Sequence, residues 1–135
     1  MNELKGIKIG YALTGSYCTF AKAFEQAERL VEMGAELIPI MSENAAATST
    51  RFGSADENIK KLKEISGKDI ICTISAAEPI GPKNMTDIMV VAPCTSNTAN
   101  KLAMSITDTA VTMAVKSHLR KGKPVLLAIA SNDSL

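Results

Sequence analysis

Two stretches of this sequence, the Ile-Met-Val-Val-Ala run that follows Asp87 and the run Val125-Leu-Leu-Ala-Ile-Ala130, are apolar at every position. A strand with one wet face alternates apolar and polar residues. A run without alternation needs cover on both faces, the condition of a parallel sheet held between helical layers. The rest of the chain fits that requirement. Gly6 to Ala12 predicts an opening strand, and Phe20, Ala23, Phe24, Ala27, Leu30 and Val31 recur behind it at helix spacing. Gly34 supplies a left-handed C-terminal cap, and Ala35 to Met41 predicts a second strand with Pro39 near its end. The polar stretch 42–53 reads as a long functional loop. Ser54-Ala-Asp-Glu57 has capping-box spacing and predicts a helix over about 54–66. Asp69 to Ile74 predicts a third strand, and Glu78 to Lys83 a Pro/Gly loop. The Asp87–Ala92 strand should break at Pro93 and pass through small polar residues into a helix; Ala110 to Arg120 predicts another helix. Strands alternating with helices imply crossover connections and a Rossmann-like three-layer α/β/α sandwich with a mainly parallel sheet, one domain over residues 1–135. The last strand ends five residues before Leu135, so no later helix covers the sheet. The expectation is a chain that is C-terminally truncated relative to a longer protein.

Fifteen basic against 14 acidic residues leave a formal charge of +1, which gives no electrostatic case for nucleic acid or for an anionic membrane. Three cysteines without a CxxC pair and the single His118 argue against a disulfide scaffold or a metal site. The charged N-terminus is unlike a signal peptide, and no apolar run approaches the ~18 residues of a membrane span. The expectation is a cytoplasmic, metal-free protein whose binding of any anion is local.

Ligands of open α/β sheets bind beyond the carboxyl ends of the strands. After the first strand comes Thr14-Gly15-Ser16, where a glycine turn and a helix N-terminus suit a phosphate. It lacks the lysine of a P-loop and the G-x-G-x-x-G of a dinucleotide site. Thr14 and Ser16 either bind or cap a helix. After the second strand, Ser42 either caps or binds, and Arg51 sits among small hydroxyl residues where it either grips a carboxylate or phosphate or faces solvent. The strongest signal is Pro93-Cys-Thr95-Ser96-Asn97-Thr98, whose hydroxyls and amide suit a ligand, with an elaborate helix N-cap as the alternative. Cys94 at a helix N-terminus would have a lowered pKa but no base nearby; His118 reads as a surface helix residue, and Lys101 and Asp108 either face the site or, by default, solvent.

Pro93-Cys-Thr-Ser-Asn-Thr98, Lys101 and Ile106-Thr-Asp108 resemble the Pro-x-Ser-x-Asn-Thr-x-x-Lys-x-Ala-x-Gly-Ile-x-Asp pattern of the FMN-binding flavoprotein family, which includes flavin-containing cysteine decarboxylases and flavin prenyltransferases. Thr14-Gly15-Ser16 resembles that family's Gly-Ser phosphate loop. Thr50-Arg-Phe-Gly53, Ala77 to Lys83, Thr107 to Ala114 with Lys116, His118-Leu-Arg120 and Ala130-Ser-Asn-Asp133 narrow the resemblance to its dipicolinate-forming branch. The resemblance implies an FMN cofactor and oxidation of a dihydrodipicolinate-type precursor during sporulation. It also implies a partner subunit resembling a nicotinamide-dependent dehydrogenase, and a homo-oligomer, trimer-based. By the same resemblance Gly15, Ser16 and Ser42 hold the phosphate, Thr95, Ser96, Asn97 and Thr98 contact the ribityl chain or flavin ring, and Arg51 takes a substrate carboxylate. The family's decarboxylases carry a catalytic histidine in the loop after the second strand, and 42–53 has none; position 105, usually Gly, is Ser105. A non-catalytic scaffold, or a decarboxylase or prenyltransferase, are the alternatives.

Overall fold

The computed structural model describes residues 2–130. Four strands, β1 (Lys8–Leu13), β2 (Glu36–Met41), β3 (Ile88–Thr95) and β4 (Val125–Ala130), form a parallel sheet in the order β2-β1-β3-β4. Successive side chains of a strand alternate between faces, and the two faces carry separate cores. Ile9, Tyr11 and Leu13 of β1 pack with Leu37 and Met41 of β2 against α1 (Phe20–Glu32) and α3 (Ala55–Ser66). Ala12, Ile40, Met89, Val91 and Cys94 pack on the other face against α4 (Ile74–Ala77) and α6 (Ala110–Leu119). Helices on both faces of a parallel sheet are the Rossmann-like α/β arrangement.

The long helices have legible starts and stops. Phe20, Ala23, Phe24 and Ala27 form the buried stripe of α1, and its C-terminus closes on Gly34 at φ +99. Ala35 N–H bonds Leu30 O at 3.1 Å and Gly34 N–H bonds Val31 O at 2.9 Å, the paired bonds of a Schellman cap. At the start of α3, the Ser54 hydroxyl accepts from Glu57 N–H at 3.0 Å.

Several expectations are corrected. The segment 69–74 is not a strand. Ile71 makes one bridge to Ile40, with Ile71 N–H on Pro39 O and Met41 N–H on Ile71 O. The nitrogen of Pro39 faces that same edge and has no hydrogen to extend the ladder toward residue 69. On the other side Thr73 already caps α4, accepting from Ala76 N–H. The polar stretch 42–53 contains a short helix, α2 (Glu43–Ala47), because Ser42 accepts from Ala45 N–H and starts a turn. Strand β3 does not break at Pro93 but runs through it to Thr95, with a cis Ala92–Pro93 peptide and a register shift against β4 between Val91 and Cys94. Pro93 O accepts from both the N–H and the hydroxyl of Thr14, so the strand stays anchored where the proline lacks a donor.

His118 is buried, at 1% exposure. Its Nε2 lies 2.8 Å from Pro124 O, which can only accept, so Nε2 carries the proton and Nδ1 accepts from the Thr86 hydroxyl at 2.7 Å. Nε2 thereby braces α6 against the turn that leads into β4, and Nδ1 braces it against the segment that leads into β3. β4 departs from the double cover that its apolar sequence calls for: Leu126, Leu127 and Ile129 are 57%, 37% and 55% exposed. With Leu30 of α1 and Ile88 and Val90 of β3, Leu126 and Ile129 line an open apolar groove of about 840 Å³. Residues 131–133, part of the resemblance above, lie outside the described residues.

Candidate functional site

Thr14, at the end of β1, is buried and joins the two central strands. Its hydroxyl donates to Pro93 O at 2.8 Å and accepts from Thr95 N–H at 2.9 Å. It caps no helix. Beyond it Ser16 N–H turns back to Thr14 O, and a 3-10 turn (Tyr17–Thr19) leads into α1. Neither Ser16 nor Thr19 makes a side-chain cap, so the capping alternative for this loop does not apply. Gly15 lacks a positive φ, contrary to the tight-turn expectation; a Cβ there would meet the Tyr17 ring at an ordinary 3.5–3.7 Å. Nothing among the described residues demands glycine at 15.

The Pro93–Thr98 junction is divided between structure and surface. Thr95 caps α5 (Ser96–Ala103), accepting from Thr98 N–H at 3.2 Å and donating to the Thr98 hydroxyl at 3.2 Å. The capping alternative therefore accounts for Thr95 and Thr98. It leaves Asn97, which is exposed. Cys94 is buried against α6, and burial pushes its thiol up to about 11, opposite to the lowering expected at a helix N-terminus.

Two adjoining cavities open at these strand ends. The first, of about 770 Å³, is lined by Ser16, Cys18, Ser96, Arg51 and Phe52 among others; the second, of about 740 Å³, by Thr14, Ser42, Thr98, Glu43, Lys101 and Asp108 among others. Gly15, Tyr17, Thr95 and Asn97 line both, so the two form one cleft over β1 and β3. Of the residues singled out in the sequence, Thr14, Gly15, Ser16, Ser42, Arg51, Thr95, Ser96, Asn97 and Thr98 converge here. Pro93 does not: it lines the apolar groove on the α1 face. Tyr17, which the sequence motifs do not include, lies at the junction, its hydroxyl donating to Asn44 O at 2.9 Å and its ring 5.2 Å from that of Phe20. An aromatic two residues after a glycine at a strand end was the available signal.

The cleft's charges are sparse and arranged by half. Arg51 is the cation of the first cavity. In the second, Lys101 pairs with Asp108 at 2.9 Å, and the Glu43 carboxylate accepts from Ala110 N–H at 2.9 Å at the start of α6. Lys101 and Asp108 thus line the cleft, the site-facing one of the two alternatives, with Asp108 still exposed. The first cavity carries the positive balance and the uncapped start of the helical segment, so it is the half suited to an anion. No histidine lines either cavity. Among the described residues no three His, Cys, Asp or Glu side chains cluster as metal ligands, and no helix is long and apolar enough to cross a membrane.

A parallel sheet with helices on both faces and a hydroxyl-rich cleft at its carboxyl ends defines a Rossmann-like α/β protein, a class whose ligand sites lie at those strand ends. The whole chain, residues 1–135, matches the Flavoprotein family, and the protein belongs to it. It is similar to the B-type subunit of dipicolinate synthase from Bacillus subtilis (strain 168), 47% identical over 135 residues that make up 100% of this chain and 68% of the relative. The crystal structure of the corresponding dipicolinate synthase subunit from Bacillus halodurans superposes with a TM-score of 0.86 at 43% identity, over 99% of this chain and 68% of that one. Burkholderia xenovorans DmrB in complex with FMN has a TM-score of 0.74 at 23% identity, over 93% of this chain and 67% of that one, a likeness of fold.

Proposed function

We propose that the cleft binds FMN and that the chain is the flavin-holding component of a dipicolinate synthase, acting with that synthase's other, dehydrogenase-like subunit. The observation that carries the reading is the Gly15-Ser16 loop. Its glycine is required by no contact among the described residues, and its serine hydroxyl is not used in a cap. A phosphate lying on the backbone at the start of α1 gives both a reason. The donors fit: hydroxyls of Ser16 and Ser42 for the phosphate, Thr95, Ser96, Asn97 and Thr98 for the ribityl chain or ring edge, and Arg51 for a substrate carboxylate. Bound FMN supplies two-electron redox capacity. The chain's own residues bind and orient; the buried Thr14 bridge holds the two loops at fixed separation. Dehydrogenation of a dihydrodipicolinate-type precursor removes two electrons and two protons and aromatises the ring. A dodecameric FMN-dependent decarboxylase and a cubic protein cage share the fold, which supports a homo-oligomer, trimer-based.

FMN titration, followed by quenching of flavin fluorescence, tests the cofactor. Gly15→Val should weaken binding at least tenfold while leaving the thermal midpoint unchanged, and Ser16→Ala should weaken it by about 1–2 kcal/mol. A protein that takes up no FMN, or a Gly15→Val variant that binds it as well as the parent, overturns the reading. The cleft without histidine favours one second reading, a scaffold that leaves redox chemistry to the dehydrogenase-like partner. Dipicolinate formation by that purified partner on its own would establish it.

A further inference from the structure

Resting on that reading, we propose that Phe52 is a specificity-determining residue that reads the planarity of the substrate ring. Phe52 is 55% exposed, the one aromatic among the large hydrophobic side chains left exposed in the described residues. It is not left loose. Thr50 N–H bonds Gly53 O at 2.9 Å and Gly53 N–H bonds Thr50 O at 3.1 Å, closing a two-residue turn with Arg51 and Phe52 at its tip. Phe52 N–H bonds the Thr50 hydroxyl at 3.1 Å, and the Ser49 hydroxyl accepts from Ala55 N–H at 3.0 Å, tying the turn to the start of α3. Gly53, at φ +146, gives the turn a backbone conformation that side chains rarely adopt.

The turn therefore presents a cation and an aromatic ring together at the cleft. The Arg51 guanidinium lies over one face of the Phe52 ring, 5.0 Å from its centroid, which leaves the ring's other face for a ligand, and both side chains line the first cavity. A flat ring bearing a carboxylate can meet both, its face on Phe52 and its anion on Arg51. A puckered ring of the same charge can meet Arg51 only. Because dehydrogenation flattens the ring, the Phe52 contact strengthens along the reaction while the Arg51 contact does not, which is how a group comes to favour the oxidised side.

Calorimetric titration of the whole chain, with and without FMN, by benzene-1,3-dicarboxylate and cis-cyclohexane-1,3-dicarboxylate compares flat and puckered rings of equal charge; pyridine-2,6-dicarboxylate is the third probe. The parent protein should prefer the flat rings. Phe52→Ala and Phe52→Leu should weaken flat-ring binding roughly 3- to 10-fold, the range of a stacking contact, and leave cyclohexane binding unchanged. Phe52→Tyr should restore the preference, and Arg51→Gln should weaken all three ligands. The proposal is overturned if the parent binds none of them or does not distinguish them, or if Phe52→Ala weakens both ring types equally. It is also overturned if Phe52→Ala weakens FMN and spares the ring preference. Failure of FMN binding with the ring preference intact sinks the cofactor reading and leaves Phe52 its role.

Discussion

Burial raises the Cys94 thiol to about 11, while Cys18 stands exposed in the first cavity. A thiol reagent at pH 8 should therefore modify exposed Cys18 first, half-buried Cys72 more slowly and Cys94 only on unfolding; Cys18→Ser should abolish the fastest phase, and FMN in the cleft should slow it. Ser105 is the other informative residue. It closes α5 at φ +59, with Ile106 N–H on Lys101 O at 2.8 Å and Ser105 N–H on Leu102 O at 3.2 Å, a Schellman cap that glycine fits without strain. Ser105→Gly should raise stability in urea by about 0.5–1 kcal/mol. The family's glycine at this position was legible; the strain that serine bears there follows from the left-handed backbone. Thr14 shows the opposite case. Its chemistry as a polar residue in a loop was visible, but its bridge to Pro93 and Thr95 spans 79 and 81 residues, and no local pattern encodes it.

Elements assembled from local signals came through: the stripe of α1, except Val31, which is exposed, the Ser54 start of α3 and the Thr95 start of α5 each depend on residues within a turn or two. The false strand at 69–74 was a run of apolar residues whose partner edge is blocked by Pro39, thirty residues away in sequence. Packing of the 3-10 turn Glu78–Ile80 on α6 was equally invisible. Gly81 N–H bonds the Ser117 hydroxyl at 2.7 Å, that hydroxyl donates to Glu78 O at 2.7 Å, and a Cβ on Gly81 would sit 2.1 Å from Ser117 O. Because the obstacle is helix backbone, Gly81→Ala should cost about 3 kcal/mol, read as a lowered urea midpoint with unchanged slope. A loss under about 1 kcal/mol would mean that α6 shifts freely.

At the scale of the molecule, alkaline stability follows from two buried acids. Tyr11, whose hydroxyl donates to Ala23 O at 2.6 Å, is raised from 10.0 to about 12 by burial, and Cys94 from 9.0 to about 11. The unfolded chain releases these protons before the native one does, so their contribution is complete below about pH 9 and is lost as pH climbs toward about 12. Urea midpoints should fall over that window, less steeply in Tyr11→Phe; a flat profile would contradict the burial of both groups. The groove beside β4 belongs to this scale too. The sequence of β4 calls for cover on both faces, and the helices described reach only part of it. By itself the sequence determined the fold class, the parallel sheet and the three loops from which the cleft is built, because periodicity, caps and apolar runs act over a few residues. Only the tertiary structure decided that Thr14 is a strut, that His118 is core, that Tyr17 stands between two cavities and that Arg51 and Phe52 share one face of the cleft, because each depends on contacts between residues brought together by the crossovers of the sheet.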